Sequence, residues 1–410
     1  MYNIAITLYL IGVAILSLFD KKVRTMWRGE RRAISDVKRK LDPSAQYIWV
    51  HAASLGEFEQ GRPIMERIRE KHPEYKILLT FFSPSGYEVR KDYSGADIVC
   101  YLPLDTPRNA RRFLRTIKPV GALFIKYEFW YNYLHILKNR NIPVYSVSSI
   151  FRPKQIFFRW YGRHYAKVLR CFKHFFVQNE VSKELLNGIG LDNVTVTGDT
   201  RFDRVLAIAQ QAKDLTIVER FKAGKKTFIA GSSWQPDEDI FIPYMKGRDD
   251  WKLVIAPHVI AEAHLIQIEQ LLKANGRRAV RYSVLTEGTV SAEAYDTLVV
   301  DCFGLLSSIY RYADVTYVGG GFGVGIHNLL EAAVWSKPVI FGPNNTRFQE
   351  AQDLKECSGG LEISDASTFK AVMDGLICDS ARLERCCKAA GEYVRGKAGA
   401  TQAILKALGL

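Results

Sequence analysis

Seven cysteines, at 100, 171, 302, 357, 378, 386 and 387, form no CxxC pair and no spacing of the secreted kind. That excludes a zinc knuckle and a disulfide framework, and leaves reduced core or surface thiols of a cytosolic domain. G-x-G-x-x-G spacing and a Walker lysine are both missing, so neither standard nucleotide motif applies. No short internal repeat and no low-complexity tract interrupts the chain. Acidic residues are in deficit: 43 Asp and Glu against 57 Lys and Arg give a net charge of +14. Such a balance calls for an anionic partner or surface, among nucleic acid, a membrane or a phosphorylated substrate.

What is present describes an ordinary globular protein, 48% hydrophobic and 24% charged over 410 residues, long enough for two full cores. Short apolar runs at 47–51, 76–82, 98–102, 121–127, 143–147, 175–178 and 194–197 each lead into turn residues and amphipathic sequence. The pattern returns at 227–231, 252–257, 297–301, 315–318 and 338–341. Alternation of this kind predicts βαβ units and parallel sheets. The expected fold is therefore α/β, two doubly wound, Rossmann-like domains facing a cleft, with ligands at the carboxyl ends of strands. The divisions are 1–20 as an anchor, 21–205 as the first domain, 206–226 as a polar, helical linker and 227–410 as the second domain. A helical pattern from about 381 is a candidate to pack back on the first domain.

Residues 4–19, IAITLYLIGVAILSLF, carry no charge, and Lys21, Lys22, Arg24, Arg28, Arg31 and Arg32 follow them. A signal peptide has the opposite order. The positive-inside rule then keeps the rest of the chain on the cytoplasmic side of an anchor that spans the bilayer or lies in its interface. A buried N-terminal helix is the structural alternative.

The densest chemistry lies at 315–348. A strand at Val315–Val318 runs into Gly319-Gly320-Gly321, then Gly323-Val324-Gly325-Ile326-His327-Asn328 and the helix-favouring LLEAAVW. Free N–H groups and a helix dipole make such a turn an anion site, and Glu331 is placed to accept from sugar hydroxyls. The alternative is a turn that only packs. In the first half, His51-Ala52-Ala53-Ser54-Leu55-Gly56-Glu57 follows a strand, and Glu57 opens a helix. The position suits a general base, or a carboxylate that merely completes a capping box with Ser54. Glu128, in Lys126-Tyr127-Glu128-Phe129-Trp130-Tyr131-Asn132, ends another strand at the same edge. Arg201 in TGDTRFD suits a carboxylate or phosphate, or else pairs with Asp199 or Asp203. Further strand ends carry Ser232-Ser233-Trp234, Pro257-His258 and Asp301-Cys302-Phe303-Gly304. Finally, residues 151–176 interleave seven Lys or Arg with nine aromatics. That composition suits a membrane surface better than nucleic acid, or a solvated basic amphipathic helix.

Taken in order, HAASLGE, KYEFWYN, TGDTRFD, AGSSW, DCFG, GIHNLLEAA and GPNNTRF resemble the Kdo transferases of Gram-negative bacteria. The resemblance runs from the N-terminal anchor to about residue 355. It implies a GT-B glycosyltransferase that moves 3-deoxy-D-manno-octulosonic acid (Kdo) from CMP-Kdo to lipid A precursors, needs no metal or other cofactor, and works on the cytoplasmic side of the inner membrane. The first domain would then hold the acceptor and the second CMP-Kdo. Glu57 matches the family's base, and Glu128 and Arg201 match positions that stabilise the transition state, the latter usually lysine. Donor positions would be Ser232, Ser233, Pro257, His258, Phe303, Gly304, Leu305, Gly325, His327, Asn328, Leu329, Leu330 and Glu331. Ser54, Gly56, Arg152, Lys154, Arg159 and Arg163 would face the acceptor and the inner-membrane lipids, with no nucleic-acid partner. Four departures stand out: Ala256-Pro257-His258 for Pro-Arg-His, Gly304-Leu305 for Gly-Glu, Gly325-Ile326 for Gly-Gly, and Trp130-Tyr131-Asn132 for Trp-Pro-Asn. Competing readings are another nucleotide-sugar enzyme of the same framework, transferase or epimerase, and a membrane-tethered protein that binds anionic lipid.

Overall fold

A computed structural model describes residues 2–212 and 214–410. The chain forms two compact units, one running to Arg204 and completed by Ala398–Leu410, the other Val205–Lys397.

The first unit is built on β1 (Gln46–His51), β2 (Tyr75–Phe81), β3 (Ile98–Tyr101), β4 (Gly121–Ile125), β5 (Val144–Ser149), β6 (His174–Val177) and β7 (Val194–Val196). All pairings are parallel, in the order β3-β2-β1-β4-β5-β6-β7. Near-continuous apolar runs suit such strands, because helices cover both faces. One face carries a core around Trp49, Phe113, Phe124 and Tyr133, the other a core around Val50, Phe58, Ile64 and Phe176. Strand order reverses between β1 and β4, which opens a crevice at their carboxyl ends.

Two helices precede the sheet, α1 (Tyr2–Phe19) and α2 (Lys21–Lys40). Asp20 caps α2 by accepting from the Val23 N–H, and Ala33, Ile34 and Val37 bury into the first core. The last helix, Ala400–Leu408, lays Ile404 and Leu405 into the second core. Asp203 holds its start, accepting from the backbone N–H groups of Gly399 and Thr401 at 2.6 Å each. Gly399 has φ +111, a left-handed turn that separates this helix from Ser380–Gly396. So of the helical sequence after 381, only the final nine-residue helix belongs to the first unit.

The second unit repeats the architecture with β8 (Lys226–Ser233), β9 (Trp251–Pro257), β10 (Ala279–Arg281), β11 (Thr297–Val299), β12 (Val315–Val318), β13 (Val339–Phe341) and β14 (Gly360–Glu362). The order is β10-β11-β9-β8-β12-β13-β14, again all parallel, with the reversal between β8 and β12. Residues 206–226, read above as a linker, lie in this unit. Thr216–Lys222 is helical there and buries Val218 and Phe221. The edge strands β10 and β14 add to the twelve strands expected from the apolar runs.

Candidate active site

In the first unit the chemistry collects at the reversal. β1 ends on His51, Ser54 caps α3 (Leu55–Lys71), and the Glu57 carboxylate accepts the Ser54 backbone N–H at 3.0 Å. Beside it, Glu128 follows β4. Its Oε2 lies 3.0 Å from His51 Nε2 and accepts the Trp130 indole N–H at 2.6 Å. On the other side of the ring, His51 Nδ1 meets Thr80 Oγ1 at 2.8 Å, and the Trp49 indole N–H donates to the same hydroxyl. With Nε2 protonated, His51 donates to Glu128 and accepts from Thr80, so both ring nitrogens are paired.

Glu57 feels that frame. Burial raises its carboxyl above the ordinary range and the charge of Glu128 adds to the rise. His51, Lys126 and the Ser54 N–H pull the other way without cancelling it. Lys126, between β4 and Glu128, has φ +62. A lysine held in the left-handed region is strained, and such strain gathers at sites where a side chain must be aimed. The Arg152 guanidinium carbon stands 5.8 Å from the ring centroid of Tyr127, and burial raises the Tyr127 hydroxyl above its ordinary range.

Arg201 pairs with Asp199, to which both its backbone N–H and its guanidinium bond at 2.9 Å. Burial works to raise the Asp199 carboxyl, yet Arg201 and the Gln60 amide outweigh it and hold it low. The pair fixes the Arg201 side chain at the start of helix Thr200–Gln211.

In the second unit, three rings meet at the ends of β8, β9 and β12, His258 lying against both of the others. Trp234 lies on His258 with centroids 4.9 Å apart, and His258 lies on His327 at 4.2 Å. The Trp234 indole N–H donates to His327 Nε2. Burial and the adjacent His258 push His327 down to about 4, and burial lowers His258 too. The cluster is therefore uncharged at neutral pH. Asp237 sets the turn behind it, accepting from Tyr317 and from the backbone of Trp234 and Gly320. Gly320 has φ +91, and a Cβ on Gly321 would meet the Gly342 backbone at 2.6 Å.

The helix expected after Asn328 is only Leu330–Ala333, too short to present a helix dipole. Its start is closed by Asn328, which accepts the Leu330 N–H and donates to Glu331, while Ser307 donates to the other Glu331 oxygen. Leu329 and Leu330 are fully buried, so only their backbone could meet a ligand. Ser233 is also internal, bonded to Glu238, whereas Ser232 has φ +53 at the strand end. Pro257 is buried and His258 exposed, and Gly325 turns at φ +108. Phe303, Gly304 and Leu305 follow β11, Phe303 with most of its ring in solvent. Stretch 151–176 is not one amphipathic helix. It breaks into short turns at 156–158, 160–162, 163–166 and 167–171, because Phe151, Phe157, Phe172 and Phe175 all turn into the core. Arg152, Lys154, Arg159 and Arg163 remain exposed.

Sequence reasoning singled out Glu57 and Glu128 but missed His51, Thr80 and Trp130 as one network, and Trp234 as a stacking partner. The available signal was position: each stands at, or just beyond, the carboxyl end of a strand.

The model of the family described as 3-deoxy-D-manno-octulosonic-acid transferase (kdotransferase) matches residues 27–204. A 3-deoxy-D-manno-octulosonic acid transferase of Aquifex aeolicus is 28% identical over 80% of this chain and 86% of its own length. One of Bordetella pertussis is 27% identical over 93% and 94%. A bifunctional glycosyltransferase/methyltransferase of Fusobacterium nucleatum is 28% identical over 79% of this chain, which spans about half, 51%, of that protein. Among solved structures, UDP-GlcNAc 2-epimerase from Neisseria meningitidis superposes with a TM-score of 0.62, covering 88% of this chain and 99% of that one at 15% identity. That likeness establishes the fold, two parallel-sheet units of GT-B type.

Proposed function

We propose that this chain, which belongs to the Kdo transferase family of glycosyltransferases, moves Kdo from CMP-Kdo to a lipid A precursor in lipopolysaccharide biosynthesis. The transfer is direct and inverting. Glu57 takes the proton of an acceptor hydroxyl as its oxygen attacks the anomeric carbon of Kdo. The bond from that carbon to the CMP phosphate breaks, and CMP leaves with the bonding pair.

One observation carries the reading: a carboxylate at a strand end, half-buried, held by a backbone N–H and raised above the ordinary range. The raised pKa makes this carboxylate a stronger base toward the attacking hydroxyl than an ordinary surface glutamate. Glu128, fixed by His51 and Trp130, keeps the neighbouring charge in place. Arg201, aimed by Asp199, offsets charge that develops on the leaving phosphate.

The second unit would hold the donor. Its neutral Trp234–His258–His327 cluster would supply aromatic rings for a nucleobase to stack on. The glycine turn at 319–325 lets backbone approach closely, and Asn328, Glu331 and the turn at 303–305 lie on the same side of the sheet as strand ends do. No metal enters this scheme. The acceptor and the cytoplasmic leaflet of the inner membrane would meet the first unit.

The test is a transfer assay with purified protein, CMP-Kdo generated in situ and tetra-acylated lipid A precursor, with products weighed by mass spectrometry. A gain of one or more Kdo masses is expected. A protein that binds detergent and substrate normally but yields no product would move the assignment to another donor sugar.

A further inference from the structure

We propose that α1 lies flat in the interface of one leaflet, with both of its ends on the side of the first unit, and does not cross the bilayer. The proposal rests on the membrane-side reading above and names the geometry of that contact.

By composition α1 passes as a span, with mean hydropathy 2.0 over 18 residues. A spanning helix of that length would carry Tyr2 about 27 Å from Phe19, across the hydrocarbon core. Tyr2 is instead fastened to the first unit. Its hydroxyl donates to Asp105 at 2.8 Å, and its ring lies against Tyr131 and Tyr165, 5.1 and 6.0 Å between centroids. Asn3 accepts from Asn132 at 2.9 Å. Asp105 is no mobile partner: it is buried and accepts the backbone N–H groups of Asn132 and Tyr133.

The middle and far end touch the same unit. Val13 packs with Met26 and Tyr101, and Arg24 donates to the Ser17 carbonyl at 2.7 Å. Residues 2, 6, 10, 13 and 17 make one face, turned toward the unit and at least partly covered. Ile4, Leu8, Ile11, Ile15 and Leu18, spaced alternately by four and three, make the other, each more than half exposed. A helix held to the unit at its first turn and again at Val13 cannot also thread a membrane. Its second apolar stripe still needs cover, since five large side chains in a row along one helix are costly to leave in water.

Charge identifies the cover. A cavity of about 460 Å³ joins the first turn of α1, at Tyr2 and Ala5, to Ile156, Tyr161 and Tyr165 of the basic stretch. Trp160 and Tyr161 there are 81% and 62% exposed, among exposed Arg159 and Arg163. At the opposite end come exposed Lys21, Lys22 and Arg28. Cations flank the apolar stripe at both ends and amphipathic rings at one, the arrangement that meets anionic headgroups around a helix sunk roughly 5–10 Å into a leaflet. A span would concentrate its cations at the cytoplasmic end.

Two full-length variants, Asn3→Cys and Lys22→Cys, would be treated with membrane-impermeant maleimide in inside-out inner-membrane vesicles and in spheroplasts. Peptide-resolved mass spectrometry separates the introduced thiol from the native cysteines. Both positions should label in inside-out vesicles about tenfold more than in spheroplasts. Labelling of the two from opposite sides overturns the proposal, as does recovery of the protein in the soluble fraction. Because Asn3→Cys disturbs the bond to Asn132, a bimane at Ile11→Cys gives a second reading. Quenching by headgroup-level spin lipids exceeds quenching by bilayer-centre probes if α1 lies flat, and the reverse result refutes it. Transfer measured in the same vesicles is independent, so loss of transfer with same-side labelling counts against the reaction alone.

Discussion

Glu128 Oε2 and His51 Nε2 stand 3.0 Å apart although 77 residues separate them in the chain. Adjacent parallel strands make the meeting: β1 pairs with β4 in register His51↔Phe124, so each strand end delivers its loop to the same crevice. Thr80, at the same height on β2, closes the far side of the imidazole. The pair stands beside Glu57, where the Glu128 charge adds to the rise of the Glu57 pKa.

Glu57→Gln keeps shape and loses basicity. Transfer should fall roughly 10²–10⁴-fold while CMP affinity stays unchanged. Single-turnover rates and calorimetric CMP titration measure the two separately. Near-normal turnover in this variant would remove Glu57 from the base position.

Protonation of Glu57 at low pH abolishes the base. Since its pKa stands above the ordinary carboxylate value of about 4.3, the acid limb of kcat/KM should lie above that value. Glu128→Gln removes the like charge that helps raise it, so the limb should move to lower pH. Rates between pH 4.5 and 8 decide the matter; a limb that moves upward contradicts the coupling.

His327 titrates at about 4 when folded and near 6.5 when unfolded. Between those values the unfolded chain binds the extra proton. The stability this ring contributes is thus full above about 6.5 and is lost as pH falls toward 4. Thermal melts from pH 7.5 to 4.5 should show the loss, and His327→Gln should flatten it.

The strands were legible because buried parallel strands are apolar end to end, and the runs at 121–125 and 252–257 declare themselves. β10 and β14 were not, being three residues each at sheet edges, where one neighbour and partial burial demand little of Ala279-Val280-Arg281 or Gly360-Leu361-Glu362. Glu57 was visible through Ser54 and the local cap. The His51–Glu128–Trp130 frame was hidden, because it depends on strand order, which no local pattern encodes. Hydropathy likewise marked α1 as apolar but could not tell that one apolar face is spent on protein.

Asp203→Ala should loosen the terminal helix by losing both backbone contacts, a cost of about 0.5–2 kcal/mol for a lost cap. Hydrogen exchange should quicken in 400–408 and leave β8–β14 unchanged. Equal quickening across the second unit would show that the cap has a wider role.

That helix also orders the protein in time. Ile404 and Leu405 cover a face whose other residues, Val50, Phe58 and Ile64, leave the ribosome some hundreds of residues earlier. Domains fold as they emerge, N-terminal first. Here the first unit must wait, with an apolar patch bare, while all of Val205–Lys397 is translated. Its last piece arrives only after the second unit is made, so a message cut short within the second unit would release a first unit already collapsed but still adhesive. Nascent chains stalled before residue 398 are therefore the form of this protein most in need of a chaperone.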